Sequence, residues 1–317
     1  MKIDLSGNKK TATRDSYGNV LAELGKEHPE LVVLDADLAG ATKTGVFKKA
    51  FPERHIDCGI AEADMMGIAA GLSVCGKVPF ASSFAMFAAG RAYEQVRNTI
   101  AHTNLNVKIA ATHAGISVGE DGATHQCLED IALMRVLPNM TVISPADDVE
   151  AKAAIRCAFE HKGPVYIRLG RLAVPVIFDE AEYEFRLGKG ILLKEGTDIT
   201  IIATGLEVYE SLIAAQKLAE DGINAEVINI HTIKPIDKEL IVNSVSKTGK
   251  AVTVEEHSVI GGLYGAVCET LASEYPVKTL GIGVNDCFGH SGPAKELIHE
   301  FGLDADGIYS KIKSWLA

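Results

Sequence analysis

Between residues 112 and 126 the chain reads Thr-His-Ala-Gly-Ile-Ser-Val-Gly-Glu-Asp-Gly-Ala-Thr-His-Gln. Two histidines, His113 and His125, lie among glycines with Glu120 and Asp121 between them and Gln126 directly after. An imidazole exchanges protons near neutral pH, and a carboxylate beside it binds hydroxyls or orients the ring. His113, Asp121 and His125 also suit zinc or iron. A histidine that only satisfies hydrogen bonds at a strand end is the third reading. The residue types alone leave all three open. Other groups with chemistry are Glu62, which opens an apolar helix, Arg14 at a helix start, and Arg168 and Arg171 at the end of an apolar run. A guanidinium beside a helix N-terminus suits phosphate, because both donate N–H groups.

The elements that must hold these groups are short β-branched runs alternating with helical patterns. Strands are expected at 31–34, 78–81, 107–111, 141–143 and 165–169, and again at 199–203, 225–230, 251–254 and 277–280. Alternation with helices predicts parallel βαβ units. The fold expected is α/β, two three-layer domains with mainly parallel sheets, at 10–173 and 191–317, joined by a linker at 174–190. The first helix is expected from Asp15 to Glu27 with Thr13 as its N-cap. The helix after Glu62 is apolar or small nearly all round, so it is expected to be buried. In such folds ligands sit outside the carboxyl ends of the strands, and His113 follows one.

A chain of 317 residues, 47% of them apolar, is long enough for two cores. Its net charge of −11 argues against nucleic acid or an anionic membrane as partner. A few local arginines still allow an anionic substrate. The six cysteines form no C-x-x-C pair. The polar N-terminus, the lack of a transmembrane-length apolar run and the cysteine usage fit a cytoplasmic protein.

The stretch from His113 to Gln126 resembles the active-site loop of the transketolase family, with both histidines, the Glu-Asp-Gly and the closing Thr-His-Gln at the family's spacing. The resemblance covers nearly the whole chain but only the second half of a full-length transketolase. It implies a pyrimidine-binding domain followed by the family's C-terminal domain, and hence a C-terminal subunit of a split transketolase. It implies thiamine diphosphate as cofactor and transfer of a two-carbon ketol unit between sugar phosphates. Glu62, in the superfamily's Gly-x-x-Glu, is implied to pair with the pyrimidine ring from an apolar interface. Phe84 and Phe87 are implied to stack on that ring, and Asp37 to lie near the cofactor. His113 and His125 are implied to bond substrate oxygens and move protons, Asp121 to read a sugar hydroxyl, and Arg14 and Arg171 to hold phosphate. Two positions depart from the family pattern: Ala41 stands for a phosphate-binding serine, and Gly90 for a tyrosine at the pyrimidine. Arg91-Ala92-Tyr93-Glu94-Gln95 also resembles the β subunits of 2-oxoacid dehydrogenases. The Gly-Asp-Gly…Asn pattern that holds Mg²⁺ and the diphosphate is missing. An N-terminal partner subunit is implied to supply it, in a heterotetramer. The second domain, with Glu255-Glu256-His257 and Phe288-Gly289-His290-Ser291-Gly292, is implied to lie away from the chemistry.

Overall fold

Residues 31–35 show how the first sheet is built. All five are buried, and their side chains alternate between two cores. Leu31 and Val33 pack with Tyr17, Val20, Leu21 and Leu24. Val32 and Leu34 pack with Met65, Met66, Ala69 and Ala70. A strand buried on both faces needs helices on both, and this is the three-layer arrangement.

The computed structural model describes residues 2–317. The first part of the chain contains β1 (Lys10–Ala12), α1 (Thr13–Glu27), β2 (Leu31–Asp35), α2 (Ala39–Thr42), α3 (Thr44–Ala50), β3 (His55–Asp57), α4 (Glu62–Val74), β4 (Val78–Phe84), β5 (Lys108–Thr112), α5 (Asp130–Arg135), β6 (Thr141–Ile143), α6 (Asp148–Glu160), β7 (Val165–Arg168) and β8 (Ala173–Pro175). The second contains β9 (Ile191–Lys194), β10 (Ile199–Ala203), α7 (Glu207–Glu220), β11 (Ala225–Asn229), β12 (Thr232–Lys234), α8 (Lys238–Thr248), β13 (Ala251–Ser258), α9 (Leu263–Glu274), β14 (Thr279–Val284), α10 (Ala294–Glu300) and α11 (Ala305–Leu316).

The first sheet has the order β12-β6-β7-β5-β4-β2-β3 and the second β14-β13-β10-β11-β9. Pairings are parallel except β12 with β6 and β9 with β11. The fold is therefore α/β with mainly parallel sheets. β12 comes from the second part of the chain yet completes the edge of the first sheet, where Thr232 pairs with Ile143. Ser144 N–H adds a bond to His231 O at 2.8 Å. A small third sheet pairs β1 with β8, so the segment after β7 runs back beside the start of the chain.

Two local expectations are corrected. Helix α1 begins at Thr13, with Ala12 as its uncapped N-cap residue. The Thr13 hydroxyl instead accepts from Gly170 N–H at 2.8 Å, tying the start of α1 to the turn after β7. Helix α4 is buried on one face only. Met65, Met66, Ala69 and Ala70 face the core, while nothing lies near Gly67 or Gly71 and both Ile60 and Val74 are exposed.

Candidate functional site

The strand ends β2, β4 and β5 open on one side of the first sheet, and the candidate side chains gather there. Beyond β4 the backbone takes a π-helical turn, Met86–Arg91, in which Ala92 N–H reaches Phe87 O at 3.1 Å. Such wide turns gain a residue over an α-turn. Here the extra residue brings Arg91 against both Phe87 and Glu62. The Arg91 guanidinium carbon lies 4.3 Å from the Phe87 ring centre. Its Nη1 donates to both Glu62 oxygens, at 2.9 and 2.8 Å. Glu62 is only 1% exposed. The expectation of an apolar setting for this carboxylate is thus corrected: it faces a guanidinium that is itself half exposed.

From Phe87 the contacts continue. Phe84 lies parallel to it, with centres 5.9 Å apart and planes within 12°. The His113 ring stacks on Phe84 at 3.7 Å. His125 stands edge-on to both phenylalanines, at 6.2 and 5.4 Å. The resulting wall is flat and aromatic, a surface that favours offset stacking.

His113 follows the end of β5 with φ 57°, in the left-handed region. A non-glycine residue held there costs free energy, and such residues cluster at functional sites. Its Nε2 lies 3.0 Å from Arg14 Nη1, and its Nδ1 lies 2.8 Å from Thr112 Oγ1. Arginine only donates. Nε2 therefore accepts, and Nδ1 carries the hydrogen and donates to Thr112. Burial, then Arg14, Arg171, His125 and Lys43, push the His113 pKa down to about 3. The ring is neutral at physiological pH.

These cations form a positive corner on an acidic chain. Arg14 Nη1 also donates to Ala41 O at 3.1 Å, and among the described residues its buried Nε has no hydrogen-bond partner. Arg171 Nη1 donates to Glu120 at 2.9 Å and to Val118 O. Lys43, at φ 69°, pairs with Asp15 at 3.0 Å. Arg168 takes no part. It is buried against Asp130, at 2.8 Å, and Glu256 O, at 2.8 Å, so its role is structural.

Two predicted residues stay apart from this group. Asp37 is exposed, at φ 57°, and its N–H bonds Asp57 at 3.0 Å. Asp35, not Asp37, is the buried acid at this strand end, bonded by Thr42 and Thr44 hydroxyls at 2.6 and 2.8 Å. Asp121 is exposed, and among the described residues its side chain makes no hydrogen bond. The metal reading of His113, Asp121 and His125 finds no support, because both His113 nitrogens are engaged. Among the described residues no group of three or more His, Cys, Asp or Glu side chains is placed to hold a metal ion.

Sequence reasoning missed Arg91 and Lys43. The signal for Arg91 was its place one residue beyond Gly90, but a 3.6-residue period points it elsewhere. Lys43 carried no signal beyond its neighbourhood to Ala41. The second domain, expected to lie away from the chemistry, does touch the loop that carries His113 and His125. Ser117 N–H bonds Glu256 Oε1 at 2.5 Å, and Gln126 Nε2 bonds His290 O at 3.0 Å.

The comparisons with known proteins agree with this arrangement. Residues 9–176 match the family described as "Transketolase, pyrimidine binding domain", and residues 188–308 match "Transketolase, C-terminal domain". The chain is 54% identical over 312 residues to the "Putative transketolase C-terminal section" of Methanocaldococcus jannaschii, covering 98% of each chain. It is 46% identical to the 6-deoxy-6-sulfo-D-fructose transketolase subunit SqwH of Clostridium sp. (strain MSTE9), covering 93% of this chain and 91% of that one. A solved structure titled "Split gene transketolase, inactive beta4 tetramer" superposes with a TM-score of 0.88 at 53% identity, covering 96% of this chain and 97% of that one. On this sequence and structural likeness, the chain belongs to the transketolase family, as the C-terminal section of a split transketolase.

Proposed function

We propose that the chain is the C-terminal subunit of a two-chain transketolase that moves a two-carbon ketol unit between sugar phosphates with thiamine diphosphate. The observation that carries the reading is the unbroken run of contacts from Glu62 through Arg91, Phe87, Phe84 and His113 to Arg14.

The residues fit the pyrimidine end of the cofactor. Arg91 shows what the slot accepts: a planar N–H donor lying on Phe87 and facing a buried carboxylate. An aminopyrimidine is likewise planar, though its ring nitrogen would meet Glu62 as an acceptor and share a proton with it. Glu62, Phe84 and Phe87 would hold it; when bound, the cofactor supplies the carbanion chemistry. Asp37 is assigned to the cofactor's surroundings on the family resemblance alone.

The chain's own residues do the rest. Glu62 would share a proton with a ring nitrogen of the bound cofactor in place of its bonds to Arg91. Neutral His113 offers the Nε2 lone pair to a substrate hydroxyl in competition with Arg14. His125 reaches the same space from the edge of the aromatic wall and moves a second proton. Arg14 and Arg171 hold the phosphate, with the unpaired Arg14 Nε as one donor. Asp121, exposed at the mouth, reads a sugar hydroxyl. No residue here is assigned to Mg²⁺ and the diphosphate, which the N-terminal partner subunit holds in a cytoplasmic heterotetramer. The open face of α4 beside Glu62 supports a partner at this edge. So does the neighbouring structure's title, which describes a tetramer of β chains as inactive. The division into functional domains at 10–173 and 191–317 belongs to the same proposal. The relative named for a sulfo-sugar leaves the identity of the anionic sugar to experiment.

The test is a ketol-transfer assay with xylulose 5-phosphate and ribose 5-phosphate, Mg²⁺ and thiamine diphosphate, on the isolated chain and on its native complex. Activity confined to the complex is the expected result. Micromolar binding of Mg²⁺–thiamine diphosphate by the chain alone would overturn the shared site.

A further inference from the structure

We infer that the second domain is the mould for the catalytic loop, and that Glu256 is the positioning residue that latches it. The inference rests on the proposed site, because the loop in question carries His113, Asp121 and His125.

The geometry is built from both sides. Glu256 lies on β13, 4% exposed, and its carboxylate crosses between the domains to accept from Ser117 N–H at 2.5 Å. Gly115, at φ 81°, lies directly against that carboxylate. A Cβ at Gly115 would collide with the Glu256 carboxyl carbon and both its oxygens. Only glycine allows this approach in that backbone region. The far end of the loop is held the same way. Gln126 Nε2 donates to Ile116 O within the loop at 3.2 Å and to His290 O of the second domain at 3.0 Å. Gly289 packs against the Gln126 amide so closely that a Cβ there would strike it. Ser258 N–H bonds Leu128 O at 2.9 Å just beyond.

The loop itself is a kinked 3₁₀ turn, Ile116–Asp121, with a non-helical Gly119 inside it. Such a segment has few internal bonds to fix it. Its shape comes from Glu256 at one end, the 289–290 backbone at the other, and Arg171, which holds Val118 O and Glu120 between them. Among the described residues their hydrogen bonds run to the loop and not to the aromatic wall, so they act through the loop.

The test reads amide hydrogen exchange across residues 115–122 in the full chain. It needs no catalysis, so it stands even if the proposed reaction is wrong. In Glu256→Ala, exchange at Ser117 is expected to rise about tenfold, the scale of a lost charge-assisted bond. Glu256→Gln keeps an acceptor oxygen and should stay near wild type. Gly115→Ala, which pushes the loop off Glu256 from the other side, should raise the same amide's exchange. Glu255→Ala is the control for general loosening, because Glu255 instead bonds Leu263 and Tyr264 N–H at the start of α9, at 2.6 and 2.8 Å. It should leave Ser117 unchanged. In the assembled complex, Glu256→Ala should lower kcat while thiamine diphosphate affinity holds, with recovery in Glu256→Gln. Unchanged exchange in both Glu256→Ala and Gly115→Ala, or an equal rise in Glu255→Ala, would overturn the latch.

Discussion

Glu62 and Glu256 are both buried carboxylates beside the same site, and they are held in opposite ways. Glu256 bonds a backbone N–H that cannot leave without moving the loop. Glu62 bonds a side chain that can: Arg91 is half exposed and reaches it from the π turn after β4. Burial pushes the Glu256 pKa up, with Arg168 and Ser117 opposing it. A carboxylate fixed to main chain builds shape, whereas one facing an exchangeable partner is free to meet a ligand. Burial alone does not separate a positioning acid from a reacting one; the mobility of its partner does.

The largest expected effect tests the reacting half of this contrast. Glu62→Gln should reduce turnover of the assembled complex by about 10²–10⁴, the range for loss of a general acid–base group, while exchange at Ser117 stays at the wild-type rate. Turnover near wild type would remove Glu62 from the chemistry and dissolve the contrast. Next, Arg91→Ala leaves the Glu62 carboxylate buried without its partner, at a cost of about 1–3 kcal/mol. Chemical denaturation of the isolated chain should show that loss, and Glu62→Gln combined with Arg91→Ala should recover part of it. No recovery would mean that the ion pair is not what holds Arg91 in place. Thr13→Val orphans Gly170 N–H, which links the backbones of Arg14 and Arg171. It should cost about 1 kcal/mol and weaken phosphate-bearing substrates more than uncharged ones, read as KM.

The smallest effect is a slope. The His113 pKa is depressed from 6.5 to about 3, chiefly by burial. The unfolded chain therefore binds a proton that the folded chain refuses. This contribution to stability is full above pH 6.5 and is lost as pH falls towards about 3. His113→Asn should flatten that part of the stability–pH curve, measured as denaturation midpoints between pH 7 and 4. His231 and His257, each depressed to about 4, add slope of the same sign, while Glu150 and Glu255, raised to about 8 and about 7 by burial, oppose it, so the test is the difference between His113→Asn and wild type.

How much of this was legible in the sequence follows from range. β2, β4 and β5 each carry a short apolar run, Leu31–Leu34, Val78–Ala81 and Ile109–Ala111, and runs of that kind announce buried strands by themselves. β1, β8 and β12 have three residues each, and their partners lie far along the chain, as with Lys10 and Pro175. No local pattern encodes such pairings. The apolar surround of α4 was read as full burial, yet among the described residues no element covers its second face. In the site, His113, His125, Phe84 and Phe87 were singled out by the family resemblance, and their rings do lie together. Arg91 was not, because one extra residue in a π turn shifts everything after it. Glu256 was not, because it lies 139 residues from the amide it holds. Asp37 was singled out by its place in a motif, while the buried hydrogen-bonding acid is its neighbour Asp35.

The crossing of β12 into the first sheet bears on any attempt to cut the chain in two. Thr232 and Lys234 cover the outer edge of β6, and the first sheet has no other strand on that side. A fragment ending at the linker would carry a raw row of N–H and C=O groups along Thr141–Ile143, a template for pairing with other copies. Dissecting this molecule into modules would therefore make an adhesive half rather than a smaller working part.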